Sequence, residues 1–301
     1  LFTRTPRSVT LFSQGINQST SGVDKANSIL NVHLATGRVG LPGASPFSIT
    51  GQPNAMGGRE VGGLANQLAA HMDIVPESIE RVGRFWNAPN ITHRPGLKAV
   101  ELFEAVREGK IKAIWIMATN PAVSLPEADR VVAALQQCEF VVVSDVTGHT
   151  DTAQLAHVLL PAAAWGEKDG TVTNSERRIS RQRAFLPLPG EARPDWWIVT
   201  EVARRMGHAA AFDYDGPAAI FREHAALSGF ENNGRRAFDL GALAGMDAAA
   251  YDAMAPVQWP VRQSGHGTPR LFAQGHYPTA TGRARMIARM PRGPARATSA
   301  A

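Results

Sequence analysis

Three short, mainly apolar runs constrain the fold of this chain more than any other feature: "KAIWIM" (112–117), "EFVVVS" (139–144) and "AHVLLP" (156–161). Helical spacing precedes the first two. "GLKAVELFEAVREG" (96–109) sets Leu97, Val100, Leu102, Phe103 and Val106 on or near one face, and "PEADRVVAALQQC" (126–138) reads as a helix with Pro126 in its first turn. A strand that is apolar throughout is covered on both faces, and such strands alternating with amphipathic helices pair in parallel. The sequence therefore predicts an α/β fold, a doubly wound, mostly parallel sheet with helices on both faces.

The flanking segments are less regular. "SVTLF" (8–12) predicts a strand, and "VDKANSILNVHLATG" (23–37) a helix closed by Gly37. Residues 38–58 form a loop rich in Gly and Pro, far longer than an ordinary connection, and its Phe47, Ile49 and Met56 favour a functional loop over a disordered one. "REVGGLANQLAAHM" (59–72) is expected to be helical and 73–95 irregular. "RPDWWIVTEVARRMG" (193–207) and "GPAAIFREHAALSG" (216–229) read as helices, and periodicity is weak from 230 to 301. The expected divisions are a first α/β portion at 1–95, an α/β core at 96–210, a helical and irregular extension at 211–285, and a disordered basic tail at 286–301.

Composition removes several classes of function. The net charge of +5 suits an anionic ligand, but no dense Lys/Arg block with interleaved aromatics points to nucleic acid. No apolar stretch reaches the length of about 18 residues that a spanning helix needs. Cys138 is the single cysteine, expected to be buried and inert, so the chain alone builds no disulfide, zinc site or cysteine-held cluster. The nine histidines lack HExxH or HxxxH spacing, so no protein metal site is expected. "GRVGLPG" (37–43) and "GGREVGG" (57–63) lack the dinucleotide fingerprint and its strand context, and there is no Walker A motif. The beginning, "LFTRTPRSVTLF", has neither a starting Met nor a signal-peptide pattern, so the chain is expected to be a segment of a longer protein.

In a doubly wound sheet, ligands bind beyond the carboxyl ends of the strands. Here those ends carry Gln14, Asn17 and Gln18 after the first strand, Thr119 and Asn120 after "KAIWIM", and Ser144 and Asp145 after "EFVVV". Such residues also serve as plain turn formers; it is the repetition at three strand ends that points to a nucleotide-like ligand. "WGEKDGTVTNSERR" (165–178), dense in charge, reads either as a solvated hairpin or as a ligand loop, and its place after an apolar strand favours the loop.

"QGINQSTSGVDKANSILNVHLATGRVGLPGASPFSITGQPNAMGGREVGGLANQLAAHM" (14–72) resembles the bacterial assimilatory nitrate reductases of the molybdopterin oxidoreductase superfamily. "MATNPAVSLP" (117–126), residues 141–183 and "PGEARPDWW" (189–197) continue the resemblance in order, strongly to about residue 210 and more loosely to about 285. "GQPNAMGGREVGG" (51–63) separates nitrate reductase from the related formate dehydrogenases.

The resemblance implies a multi-domain cytoplasmic enzyme that reduces nitrate to nitrite by oxygen-atom transfer at molybdenum held by two molybdopterin guanine dinucleotides. It implies an electron-donor protein as partner, and neither nucleic acid nor membrane. It implies cofactor contacts at Gln14, Gln18, Asn120, Ser144, Asp145, Lys168 and Asp195, with Asn17 beside them, either Asp145 or Asp195 reading the guanine edge, and Arg59 lining the substrate funnel. A guanidinium suits a planar oxyanion because its fork offers paired donors; the plainer role for Arg59 is a helix-start ion pair with a nearby carboxylate such as Asp73. Glu167, Glu176, Arg177 and Arg178 are expected to pair ions and order their loop. The iron–sulfur cysteines and the cysteine bound to molybdenum belong to an N-terminal portion absent here. A formate dehydrogenase-like oxidoreductase, or a noncatalytic chain keeping the fold, are the alternatives.

Overall fold

The computed structural model describes residues 1–262 and 265–290. The first apolar run forms β1 (Val9–Phe12), the polar stretch after it winds into the single turn α1 (Gln14–Asn17), and α2 (Gly22–Ala35) follows. A Cβ at Gly22 would lie 2.6 Å from Ile16 O, so only glycine lets α2 start this close to α1. Gly37 closes the helix with φ +65°, as its sequence position suggests. The long loop holds more order than expected. Its residues Ser45–Ser48 form β2, parallel to β1 with Val9 opposite Ser45 and Phe12 opposite Ser48. Pro46 is tolerated because this two-stranded sheet has a free edge on each side.

The helix expected over 59–72 is not formed. Instead α3 (Ala55–Glu60) ends there, and β3 (Gln67–Leu68) and β4 (Met72–Asp73) make a small antiparallel pair. Gly62, at φ +79°, approaches Ala69 N so closely that a Cβ would stand 2.7 Å away, and Ala70 and His71 reverse the chain in the left-handed region. Conversely, 73–95 is not irregular throughout, since α4 (Pro76–Trp86) starts on a proline and is closed by Asn87 in the left-handed region.

The central alternation holds. α5 (Ala99–Arg107), β5 (Ala113–Met117), the short α6 (Pro121–Ser124), α7 (Ala128–Gln137), β6 (Phe140–Asp145) and β7 (Val158–Pro161) follow in turn. The strands pair in parallel in the order β5-β6-β7, with Met117 opposite Ser144 and Asp145 opposite Pro161. Phe103, Val106, Val131, Leu135, Val141 and Val143 form the core beneath. Pro126 precedes α7 rather than opening it, because Glu127 at φ +55° turns the chain first. β7 is not the fully buried strand its composition suggests. As the sheet edge, it leaves Val158 and Leu159 37% and 40% exposed. The class is α/β with parallel strands as read. The strands divide between two sheets, because residues 49–98 go into α3, β3, β4 and α4 rather than a joining parallel strand.

"WGEKDGTVTNSERR" contributes a hairpin, β8 (Gly170–Thr173) and β9 (Arg178–Gln182). Asn174 Oδ1 accepts from the amides of Glu176 and Arg178, both at 3.0 Å, and shapes the turn. α8 (Asp195–Ala203), α9 (Pro217–Gly229), α10 (Ala248–Asp252) and β10 (Val257–Gln258) complete the elements, β10 joining β9 antiparallel. The region of weak periodicity supplies a large part of a second core. Phe238, Leu240, Leu243, Trp259 and Val261 pack there with Met72, Val82 and Ile179. Nor is the chain free at 286–290: Asn31 of α2 exchanges two hydrogen bonds with the Ile287 backbone, at 2.7 and 3.3 Å, and Arg289 pairs with Asp24 at 3.3 Å. The remainder of the expected tail, 291–301, lies outside the described residues.

Candidate functional site

The carboxyl ends of β1 and β2 open onto a cleft of about 330 Å³. Gln14, Asn17 and Gln18 line it from α1 and its C-terminal residue, Thr50 and Gln52 from the segment after β2, and Arg59 from the last turn of α3. The structure thus brings together four residues separated by up to 45 positions (14 to 59) that the sequence reading singled out. Gln14, Asn17, Gln18 and Arg59 are all exposed. Asn17 Nδ2 reaches Ser48 Oγ only at 3.5 Å, too long for a firm bond, so its amide remains available. Among the described residues Arg59 forms no ion pair with Asp73.

A second group gathers at the ends of β5 and β6, and it divides. Asn120 Oδ1 accepts from Thr152 N at 3.2 Å and Thr152 Oγ1 at 2.7 Å, tying the end of β5 to the following turn. Its Nδ2 is left with Asp151 at 3.5 Å. Ser144 is 0% exposed, and its hydroxyl accepts the Trp115 indole N–H at 2.8 Å. The expected ligand contact through Ser144 is therefore corrected to a buried role, because the pleat turns its side chain under Trp115. Ser144→Ala should cost about 1–3 kcal/mol of unfolding free energy in denaturant unfolding, by orphaning that N–H. Asp145, half-buried, accepts from Val146 N at 2.7 Å and Thr150 Oγ1 at 3.5 Å. Lys168 and Asp195, chosen separately in the sequence, form an ion pair at 2.6 Å and remain partly exposed. Asp195 stands in the first turn of α8, where a carboxylate is favoured.

The hairpin charges keep structural roles. Glu167 accepts from Ala164 N at 2.7 Å, Glu176 pairs with Arg178 at 3.0 Å, and the Arg177 guanidinium lies 5.2 Å from the centre of the Trp259 ring. Cys138 is buried, with Sγ 3.5 Å from Lys112 O.

Glu60 escaped the sequence reading. Beside Arg59 in a short helix, it reads as a solvated charge. In the structure it is 3% exposed and accepts from Thr173 Oγ1 at 2.8 Å and Trp259 Nε1 at 2.6 Å. Burial pushes its carboxyl up to about 7 against the opposing pull of those two donors. Beyond Trp259, Phe238 separates two histidines. Burial, and secondarily the Arg59 charge, lowers the pKa of His71; burial, and secondarily His71, takes His224 down to about 4. A raised carboxyl favours the fold fully below its unfolded value of 4.5, and that contribution is lost as pH rises through about 7. Glu60→Gln carries no such loss. Its stability relative to wild type should grow by up to about 3 kcal/mol between pH 5 and 8 in urea unfolding; a flat difference would show that Glu60 is not held in a dry site.

Polar side chains beyond the carboxyl ends of parallel strands are where α/β proteins bind extended polar cofactors. Residues 6–205 match the family model described as molybdopterin oxidoreductase. The chain belongs to the molybdopterin oxidoreductase family. A nitrate reductase of Klebsiella oxytoca is 59% identical over 87% of this chain and 30% of its own length. A nitrate reductase of Shewanella frigidimarina is 51% identical over 93% of this chain and 30% of its length. The assimilatory nitrate reductase catalytic subunit of Bacillus subtilis is 34% identical over 87% and 36%. The chain thus spans about a third or less of these relatives, and the resemblance read from its motifs is borne out at the level of the family.

Proposed function

We propose that this chain is the part of a molybdenum nitrate reductase that holds a molybdopterin guanine dinucleotide and presents Arg59 to nitrate. The observation that carries the reading is the convergence of Arg59 with the amides of Gln14, Asn17 and Gln18 on one cleft at the ends of two parallel strands. The donor set fits the cofactor's chemistry. Exposed side-chain amides suit pterin and ribose edges, and the Lys168 ammonium, paired with the partly exposed Asp195, can neutralise a phosphate. Asp195 or Asp145 can accept from a guanine edge, and Asn120 retains only its loosely held Nδ2 for such a contact.

When bound, the molybdenum cofactor supplies the oxygen-atom transfer and the two electrons. The protein's part is binding and electrostatics. Arg59 offers paired N–H donors to a planar monoanion and supplies the positive charge that holds it against solvent. Among the described residues no carboxylate pairs with Arg59, which keeps that charge available to substrate. Cys138, buried at the end of α7, has no part in holding the metal in this reading. The enzyme works in the cytoplasm with a separate electron-donor protein. No helix among the described residues is long and apolar enough to cross a membrane.

The test is the full-length protein, loaded with molybdenum and supplied with reduced viologen. Nitrate-dependent oxidation of the viologen is expected. Its absence, with formate reducing oxidised viologen in a parallel assay, would favour the formate dehydrogenase-like reading, and inactivity toward both would favour a noncatalytic chain.

A further inference from the structure

α3 carries Arg59, yet it is only six residues long. A helix of that length has no stability of its own in water, so its tertiary anchors decide whether it forms. Both of its ends are fastened to one residue. At the N-terminal end, Asn54 Oδ1 accepts from Thr173 N at 2.8 Å. At the C-terminal end, Glu60 accepts from Thr173 Oγ1 at 2.8 Å and from Trp259 Nε1 at 2.6 Å. Gly57 makes the first fastening possible, since a Cβ there would sit 2.1 Å from Asn54 Oδ1. The Glu60 carbonyl also accepts from Ala70 N at 2.7 Å, which pins the chain after Arg59.

Thr173 ends β8, an edge strand of its sheet that begins two residues after Lys168. The hairpin turn in addition braces Trp259, with Arg177 over its ring and donating to its carbonyl. One hairpin therefore carries the Lys168–Asp195 pair at one end and the support of α3 at the other.

We propose that Glu60, held by Thr173 and Trp259, is a positioning residue: a hydrogen-bonded latch that fixes α3 on the β8–β9 hairpin and thereby aims Arg59 into the cleft. The effect on nitrate rests on the reading of Arg59 given above; the effect on α3 does not. The latch works through hydrogen bonds rather than through charge on Arg59. Glu60→Gln keeps an acceptor for Trp259 and a polar partner for Thr173, so it preserves the latch, whereas Glu60→Ala and Thr173→Val break it.

The experiment uses the full-length enzyme and two readouts: hydrogen exchange of the backbone amides at 55–64, and the nitrate KM against kcat. Glu60→Ala and Thr173→Val are expected to speed exchange at 55–64 about ten-fold or more and to raise nitrate KM at least about five-fold, with kcat within about two-fold of wild type. Glu60→Gln is expected to return both readouts close to wild type. Thr173→Val, which is nearly isosteric, keeps the test decisive if Glu60→Ala fails to fold. Unchanged exchange in Thr173→Val overturns the latch. So does a Glu60→Gln enzyme as impaired as Glu60→Ala, because charge would then be the operative property. If Arg59→Ala leaves nitrate KM unchanged while exchange responds as expected, the latch stands and the assignment of Arg59 to nitrate falls.

Discussion

Phe238→Ala is expected to lower the unfolding free energy by about 3–5 kcal/mol, the range for truncating a buried phenylalanine where neighbours cannot collapse. The ring is 0% exposed and stands among three others: His71 at 5.2 Å, His224 at 5.2 Å and Trp259 at 5.4 Å between ring centres. Those neighbours belong to the β3–β4 turn, α9 and the segment after β10, so no single movement fills the space. The loss should also reach function. Trp259 donates to Glu60, and a cavity beside its ring loosens the support of α3. Burial lowers the pKa of both His71 and His224, and water entering the cavity would weaken that shift in both. Denaturant unfolding measures the first effect; a change below about 1 kcal/mol would mean that this cluster is not packed as described.

What was legible in the sequence followed from local chemistry. The apolar runs at 112–117 and 139–144 carry their own strand signal, and the spacing of Phe103 with Val106, and of Val131 with Leu135, marks the faces that bury them. The strand-end amides could be singled out because the end of a parallel strand is fixed by topology, and α1 does bring Gln14, Asn17 and Gln18 together on one cleft there. Lys168 and Asp195 came from the resemblance, and the structure pairs them across 27 positions.

The failures have physical causes that apolar periodicity does not report. The expected helix at 59–72 gave way because the backbone there turns on Gly62, Ala70 and His71 in positive-φ geometry, which apolar periodicity does not report. α4 was missed because Glu77, Glu80, Arg81 and Arg84 mask a spacing that buries Val82. Ser144 looked like a ligand-facing residue because sequence position does not show that Trp115 on the neighbouring strand claims its hydroxyl. Glu60 was invisible for the same reason at longer range: its indole partner lies 199 positions away. The question posed by "WGEKDGTVTNSERR" has one answer in the structure. It is a hairpin, with Lys168 paired to Asp195 before its first strand and Thr173 bonded to Glu60 at the end of that strand; its ligand-loop reading belongs to the proposed function.

Arg59→Ala carries the largest expected effect on activity. A guanidinium that grips a planar anion through charge-assisted bonds contributes about 1.5–3 kcal/mol, which corresponds to a rise in nitrate KM of about 10- to 150-fold. Arg59→Lys retains the charge without the fork, and should fall between the variant and wild type. kcat should change little, because binding the ground-state anion and the transition state alike is uniform binding. Steady-state nitrate kinetics of full-length wild type, Arg59→Lys and Arg59→Ala is the most direct test of the cleft as the substrate site. A KM that rises in that order, with Glu60→Gln near wild type, is the predicted result; a KM for Arg59→Ala within about two-fold of wild type would contradict it.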